Sequence, residues 1–297
     1  MIPDVSIIIV HYQAKPELFA CLSSIISSNI KTGYEVIVVD NDETKTIGKQ
    51  LTENFPWVRY AKASGNIGFG AGNNLGSRIA IGKYFFFLNP DTILEKGSVD
   101  LLIESIEAGK NIGIIAPQLI DTKSNILPYQ CSAKLTPLSG LISHSVINRI
   151  YPNNPISKKY WLRDWDRKSA RYVEVVQGAA FMVKRKLFDE IGGFDEQFFM
   201  YFEESDFCLR TKQHGWSIVF EPRAKVIHLS EKSTKDKPRA LQIFRNSRTY
   251  YFNKHFGQTT GVIVQVIFWM LDRWKAIGII LVFVVLTLLT TKRQLLQ

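Results

Sequence analysis

An α/β fold with a mixed, mostly parallel central sheet is predicted by three features of this 297-residue chain. Short β-branched or aromatic runs alternate with segments of helical period. The runs are almost wholly apolar, as in strands covered on both faces. They end just before His11, Asp40 and Asn89, and strands that alternate with helices imply a largely parallel sheet. Residues 5–10 (Val-Ser-Ile-Ile-Ile-Val) form the first such strand, and Leu18, Cys21, Leu22, Ile25 and Ile26 line one face of a helix over 17–28. A second strand over 35–39 is stopped by Asp40-Asn41-Asp42. A polar helix over 43–54, a third strand over 57–61 and a helix continuing over 77–82 follow, and the aromatic strand 84–88 ends at Asn89-Pro90-Asp91. After 114–116 the pattern loosens. Residues 121–171 read as an insertion of loops and short helices that shapes specificity. Strand character returns at 172–176 and 177–183, then come a helix over 186–191, a Gly192-Gly193 turn, and strands over 217–220 and 224–227. Ligands bind at the carboxyl ends of strands in such sheets. His11, Asp40 and Asp91 all stand just past strand ends, on one expected edge.

Composition narrows the partners. A hydrophobic content of 46% with 22% charged residues supports a real core. The excess of 37 basic over 27 acidic residues, a formal charge of +10, calls for an anionic partner. Lys232, Lys235, Lys237, Arg239, Arg245, Arg248 and Lys254 gather just before the most apolar part of the chain, without any nucleic-acid-binding motif. A membrane surface is therefore expected, and nucleic acid is not. Residues 276–291 are almost wholly apolar but cover only ~24 Å as a helix, against a hydrocarbon core of about 30 Å. Trp269 and Trp274 beside Arg273 and Lys275 have the character of interfacial anchors. In-plane attachment is favoured over a tilted span or a buried partner-binding helix. The expected boundaries are 1–230 for the catalytic domain and 231–297 for a basic linker and membrane-associating tail. Cys21, Cys131 and Cys208 have neither metal-ligand spacing nor a disulfide framework, which suits a reducing compartment. The first apolar run is too short for a signal sequence and lacks a basic leader, so a cytosolic catalytic region is expected.

The candidate chemistry is carboxylate chemistry. Residues 202–210 (Phe-Glu-Glu-Ser-Asp-Phe-Cys-Leu-Arg) set Glu203, Glu204 and Asp206 among aromatic neighbours. This is either the wall of a polar site or a helix start with acids facing the macrodipole. Asp91 could hold a divalent ion with diphosphate oxygens and water, or cap a helix beginning near Ile93. Asp40 could bind a ribose or base, or close an Asx turn. The Gly/Asn-rich loop 65–76 lets backbone approach a phosphate or nucleoside, but Asn73 stands where the dinucleotide fingerprint needs a third glycine. His228, at the end of the last strand, is either a ligand or a hydrogen-bonded edge residue.

Taken in order, these segments resemble the family 2 glycosyltransferases of the GT-A fold, especially their bacterial rhamnosyltransferase-like branch. The resemblance runs over residues 3–230. It rests on the opening strand with His11 and Tyr12, on Asp40-Asn41, on the glycine loop 66–74, and on Leu88-Asn89-Pro90-Asp91 as a variant Asp-x-Asp motif. Gly192-Gly193-Phe194-Asp195-Glu196 and the segment 199–210 complete it. The resemblance implies Asp91, with His228, as ligands of Mg²⁺ or Mn²⁺. It implies His11, Tyr12, Asp40, Asn66, Gly68, Phe69, Gly70, Asn73 and Asn89 as the binding surface for a dTDP- or UDP-sugar. Gly178 and Asp195 would lie near the acceptor, and Glu204 would be the general base. Two departures stand out: the metal motif begins with Asn, and the usual Glu-Asp pair is Glu203-Glu204, which keeps Glu203 and Asp206 as substitutes for the base. The implied activity is an inverting, metal-dependent transfer, of rhamnose from dTDP-rhamnose among other sugars, to a lipid-linked or polysaccharide acceptor. The implied place is the cytoplasmic side of the bacterial inner membrane, with oligomeric state left open. A non-catalytic nucleotide-sugar-binding scaffold and a nucleotide-dependent oxidoreductase are the alternatives.

Overall fold

The computed structural model describes residues 3–43, 46–229, 237–271 and 273. In chain order the strands are β1 (Val5–His11), β2 (Tyr34–Asp40), β3 (Arg59–Lys62), β4 (Tyr84–Leu88), β5 (Thr92–Leu94), β6 (Ile112–Ile120), β7 (Cys131–Ser132), β8 (Arg171–Val173), β9 (Val175–Val176), β10 (Ala180–Lys184) and β11 (Ser217–His228). The helices are α1 (Lys15–Ser27), α2 (Gly48–Asn54), α3 (Phe69–Ile79), α4 (Ser98–Ala108), α5 (Pro137–Ser143), α6 (Val146–Ile150), α7 (Pro155–Tyr160), α8 (Arg185–Glu190), α9 (Glu203–Gln213) and α10 (Lys237–Phe256).

The main sheet runs β3-β2-β1-β4-β10-β6-β11-β5, with β8 against β11. Strands β1 to β4 are mutually parallel where they pair, β10 is antiparallel to both β4 and β6, and β11 is parallel to β6. The alternation of side chains along β4 feeds two cores. Tyr84, Phe86 and Leu88 join the aliphatic layer of β1, β2, α1 and α4. Phe85 and Phe87 face the other way, where Phe87 and Phe207 both pack on Phe194, with ring centroids 5.1 and 4.8 Å away. Helix α9, which carries the acidic segment, is thereby fixed to the sheet.

The register puts the candidate residues on one edge. His11 pairs with Asp40 across β1 and β2, Leu88 with Ala180 across β4 and β10, and His228 with Thr92 across β11 and β5. Several elements differ from expectation; the run 172–176, for one, splits into β8, paired with β11, and β9, paired with β7. The strands expected over 217–220 and 224–227 are one strand, β11, with a register shift between Glu221 and Lys225. There the buried Glu221 turns to accept from Arg223 and Ser105 instead of continuing the pleat. Helix α3 starts at Phe69, inside the glycine loop, because absent side chains let it lie against β1. A Cβ on Gly72 would stand 2.8 Å from Val10 Cγ1, and one on Gly76 2.5 Å from Ile8 Cγ2.

The chain divides into two compact units, Met1–Lys134 with Asp164–Arg248, and Leu135–Arg163 with Thr249–Gln297. The first holds the sheet. In the second, Thr136 and Ser139 form a capping box at the start of α5, and Tyr251 donates to the carbonyl of Leu135. Residues 258–271 are helical. Lys232, Lys235, Trp274, Lys275 and the apolar run 276–291 lie outside the described residues.

Candidate active site

Two left-handed residues set up the acidic pair. Tyr201 and Phe202 have φ of 70° and 69°, and α9 begins immediately after them. Non-glycine residues held there cost about 1–3 kcal/mol each and persist only where surroundings impose them. Here the rings of Tyr201 and Phe202 pack against Phe244, at 5.6 and 5.1 Å, and Ser247 donates to the carbonyl of Met200. The Phe199 carbonyl meanwhile accepts from Phe69 N–H at 3.0 Å, tying this segment to the first turn of α3.

Two glycines stand beside the two acids. A Cβ on Gly178 would lie 3.9 Å from Glu204 Cβ, and one on Gly70 3.8 Å from Glu203 Cβ. Glu204 is half-buried, and burial pushes its carboxyl up to about 6 against the opposing pull of the backbone N–H groups of Glu204 and Ser205. Glu203 is buried, with no hydrogen-bond partner for Oε2. Burial first, and then the Glu204 charge, hold its carboxyl well above the usual range. Asp206 serves the scaffold: fully buried, it accepts from Arg210 Nε at 2.8 Å. Arg210 also donates to the carbonyls of Ile191 and Gly193, which fixes the turn before α9.

Asn89-Pro90-Asp91 reaches the same place from β4. The N–H of Asn89 donates to the carbonyl of Ala179 at 2.9 Å, one residue from the glycine beside Glu204. The turn that carries Asp91 and the start of α9 therefore both reach one segment, 178–179. Asp91 caps no helix: Thr92–Leu94 is strand, and α4 starts only at Ser98. Its Oδ2 lies 3.4 Å from His228 Nε2, both side chains mostly buried. No group of three or more His, Cys, Asp or Glu able to hold a metal occurs among the described residues. A carboxylate oxygen beside an imidazole nitrogen fits a divalent ion that draws its other ligands from diphosphate and water.

The β1–β2 end is more enclosed. Asp40 is fully buried and accepts from Asp42 N–H, Ile47 N–H, the Tyr60 hydroxyl and Lys62 Nζ, so its turn is the Asx turn. His11 is buried with Nδ1 unpartnered, and burial outweighs the Asp40 and Asp42 charges in holding its pKa below the ordinary value. The imidazole is thus neutral at pH 7. Tyr12 is exposed.

Residues 6–192 match the family described as Glycosyl transferase family 2. The chain belongs to glycosyl transferase family 2. It is 28% identical over 264 residues to the N-acetylglucosaminyl-diphospho-decaprenol L-rhamnosyltransferase of Mycobacterium tuberculosis (strain H37Rv), covering 84% of this chain and 85% of that protein. It is 27% identical over 202 residues to the rhamnosyltransferase WbbL of Escherichia coli K12, covering 66% and 72%. Among solved structures, GalNAc-T7 with UDP, GalNAc and Mn²⁺ superposes with a TM-score of 0.59 at 15% identity, over 87% of this chain and 51% of that one. The fold is GT-A and the protein is a glycosyltransferase, which sets aside the oxidoreductase and non-catalytic alternatives.

For this family 2 transferase the remaining sequence candidates divide. Asn66 accepts from Gly68 N–H and borders the glycine loop, whereas Asn73 donates back to the Phe69 carbonyl within α3. Asp195 accepts from Gln197 N–H in the turn preceding α9. Asn41, named in the sequence only beside Asp40, is given no role of its own there. It is buried, donates to the Gly68 carbonyl and has an unpartnered Oδ1. Its place directly after a strand-end acid was the available signal.

Proposed function

We propose that this glycosyltransferase carries out an inverting, metal-dependent transfer of rhamnose from dTDP-rhamnose to a lipid-linked saccharide in bacterial cell-surface glycan synthesis. The observation that carries the reading is that the turn bearing Asp91, bonded through Asn89 to Ala179, and the start of α9 at Glu204, beside Gly178, both reach segment 178–179. The named activities of the M. tuberculosis and E. coli relatives support the sugar, and the former supports a lipid diphosphate acceptor.

In this reading Glu204 removes the acceptor hydroxyl proton as that oxygen bonds to the anomeric carbon and the bond to the diphosphate breaks. The proton ends on the Glu204 carboxylate, and the nucleoside diphosphate departs. Asp91 and His228 would hold Mg²⁺ or Mn²⁺, which offsets charge on the diphosphate. His11, Tyr12, Asn66, Asn89 and the 68–70 backbone bind the nucleotide-sugar, while Gly178 and Asp195 border the acceptor. Asp40 acts from beneath by fixing Tyr60 and Lys62. The test is donor hydrolysis across sugar nucleotides, with and without Mn²⁺. dTDP-rhamnose should turn over best, EDTA should stop it, and Asp91→Asn should lower turnover at least a hundredfold while leaving the circular dichroism unchanged. Metal-independent turnover, or full activity in Asp91→Asn, would refute the assignment.

We also place the protein at the inner face of the bacterial membrane through its C-terminal tail. No helix among the described residues is long and apolar enough to cross a membrane. Supporting the reading, Val262, Ile263, Val266, Trp269 and Met270 form an exposed apolar stripe on the helical residues 258–271. Arg273 lies over the Trp269 ring at 4.1 Å. Such a face suits the headgroup boundary. Val266→Asp should reduce sedimentation with phosphatidylglycerol vesicles severalfold, and unchanged sedimentation would count against this face.

A further inference from the structure

The transferase site occupies one edge of the sheet; a second concavity lies at the other. Lys184 at the end of β10 pairs with Tyr84 at the start of β4, so these residues stand a strand length, roughly 17 Å, from Asn89. An open groove of about 710 Å³ lies there, within the range of small-ligand sites.

Its charges do not balance. Lys83, Lys184, Arg185 and Lys186 line it against two carboxylates, Glu107 and Asp189. Both acids are already engaged. Glu107 Oε1 lies 2.8 Å from Lys83 Nζ and also accepts from the Tyr84 hydroxyl, while Asp189 pairs with Arg185 at 3.4 Å. Arg185 is further spent on the carbonyl of Ala80. Lys184 and Lys186 are left without an ion pair among the described residues. Their ammonium groups instead share the Trp216 ring, at 5.7 and 5.9 Å from its centroid. The indole is braced by a hydrogen bond to Glu190. Lys184 is half-buried, and burial, followed by the Lys83 charge, holds its pKa below the usual lysine value. The Glu107 carboxylate, already bound to Lys83, acts on Lys184 only at longer range, and a partly desolvated cation with a cationic neighbour, an indole face and no ion pair suits an anion.

We propose that this groove binds a phosphate monoester or diester, with the phosphate between Lys184 and Lys186 and its organic part against Trp216. Two unmatched positive charges suit the charge of about −1 to −2 carried by such groups. Lysine ammonium groups serve phosphate as point charges without demanding a planar, bidentate partner. The catalytic mechanism uses none of these residues, so the proposal stands apart from the assignment of donor and acceptor.

The phosphate source is either a soluble ester or a phospholipid headgroup, and both can be tested on the full-length protein. The variants are the double substitution Lys184→Gln with Lys186→Gln, and the single Lys186→Glu at an exposed position. In one arm, glycerol 3-phosphate is titrated while Trp fluorescence is followed. In the other, sedimentation with phosphatidylglycerol vesicles is compared with phosphatidylcholine vesicles. The expected result is at least a tenfold loss of affinity in both variants in one arm, with unchanged circular dichroism. Loss in the first arm identifies a soluble ester, and loss confined to the second identifies a headgroup. If variants of native circular dichroism bind like the parent protein in both arms, or the parent binds neither probe, the proposal is overturned.

Discussion

Glu204→Gln is expected to lower sugar transfer by roughly two to four powers of ten, the usual contribution of a general base, whereas Glu203→Gln should stay within about tenfold of the parent enzyme. The two acids are neighbours in sequence, but their surroundings separate them. Glu203 is buried with an unpartnered oxygen, and burial holds its carboxyl well above the usual range and favours the neutral form, so an amide of the same shape changes little. Glu204 is half-buried with a carboxyl near 6, ionised at pH 7 yet more basic than an exposed glutamate. The pH profile follows: kcat/KM should be flat above about pH 7 and fall about tenfold per unit below 6 as the base is protonated. Stability should move the opposite way. Because the folded-state pKa is raised, the native protein holds the proton more tightly than the unfolded chain does. Stability is therefore full below the unfolded value of 4.5 and declines as pH rises through about 6. The loss is at most about 2 kcal/mol. Glu204→Gln removes that penalty, so the inactive variant should melt slightly higher at pH 8. An active Glu204→Gln beside an inactive Glu203→Gln would exchange their roles.

The sheet could be read from the chain because strands covered on both faces leave continuous apolar runs, and each such run over 5–10, 35–39 and 84–88 lies within an observed strand. The edge was legible for the same reason: polar residues directly after those runs must emerge at the carboxyl ends. Features decided by tertiary contacts were not legible. Nothing local shows that α3 begins among glycines, since those glycines answer to Val10 and Ile8 on another strand. The split among the three acids was equally hidden. Asp206 belongs to Arg210 by an ordinary i, i+4 relation that could have been noticed, but the difference between Glu203 and Glu204 is one of burial, which the folded chain decides. Asp40 shows both sides: its Asx turn to Asp42 was among the sequence readings, whereas its bonds from Tyr60 and Lys62 on β3 were not legible.

Gly68→Ala and Gly178→Ala should separate folding from chemistry at the same site. Gly68 has φ of 91° and ψ of 178°, a region essentially closed to other residues. A Cβ there would stand 2.2 Å from the carbonyl oxygen of Phe199. That oxygen cannot retreat cheaply, because it accepts from Phe69 N–H and its segment leads into the left-handed pair before Glu203. Strain and clash together should cost about 3 kcal/mol or more, seen as a melting temperature lower by roughly 6 °C or more. Gly178 is the contrasting case. A methyl there meets Phe69 and Glu204 at 3.7 to 3.9 Å, ordinary contact distances, so the fold should survive with a melting temperature within about 2 °C. The methyl would nevertheless occupy the space beside Glu204 that the reading reserves for the acceptor, raising KM for acceptor at least tenfold while donor hydrolysis continues. Equal loss of both reactions in Gly178→Ala would mean that the acceptor enters elsewhere. A stable Gly68→Ala would mean that the loop and the Phe199 segment are not locked together, and with that the positioning of Glu204 by α3 would fall.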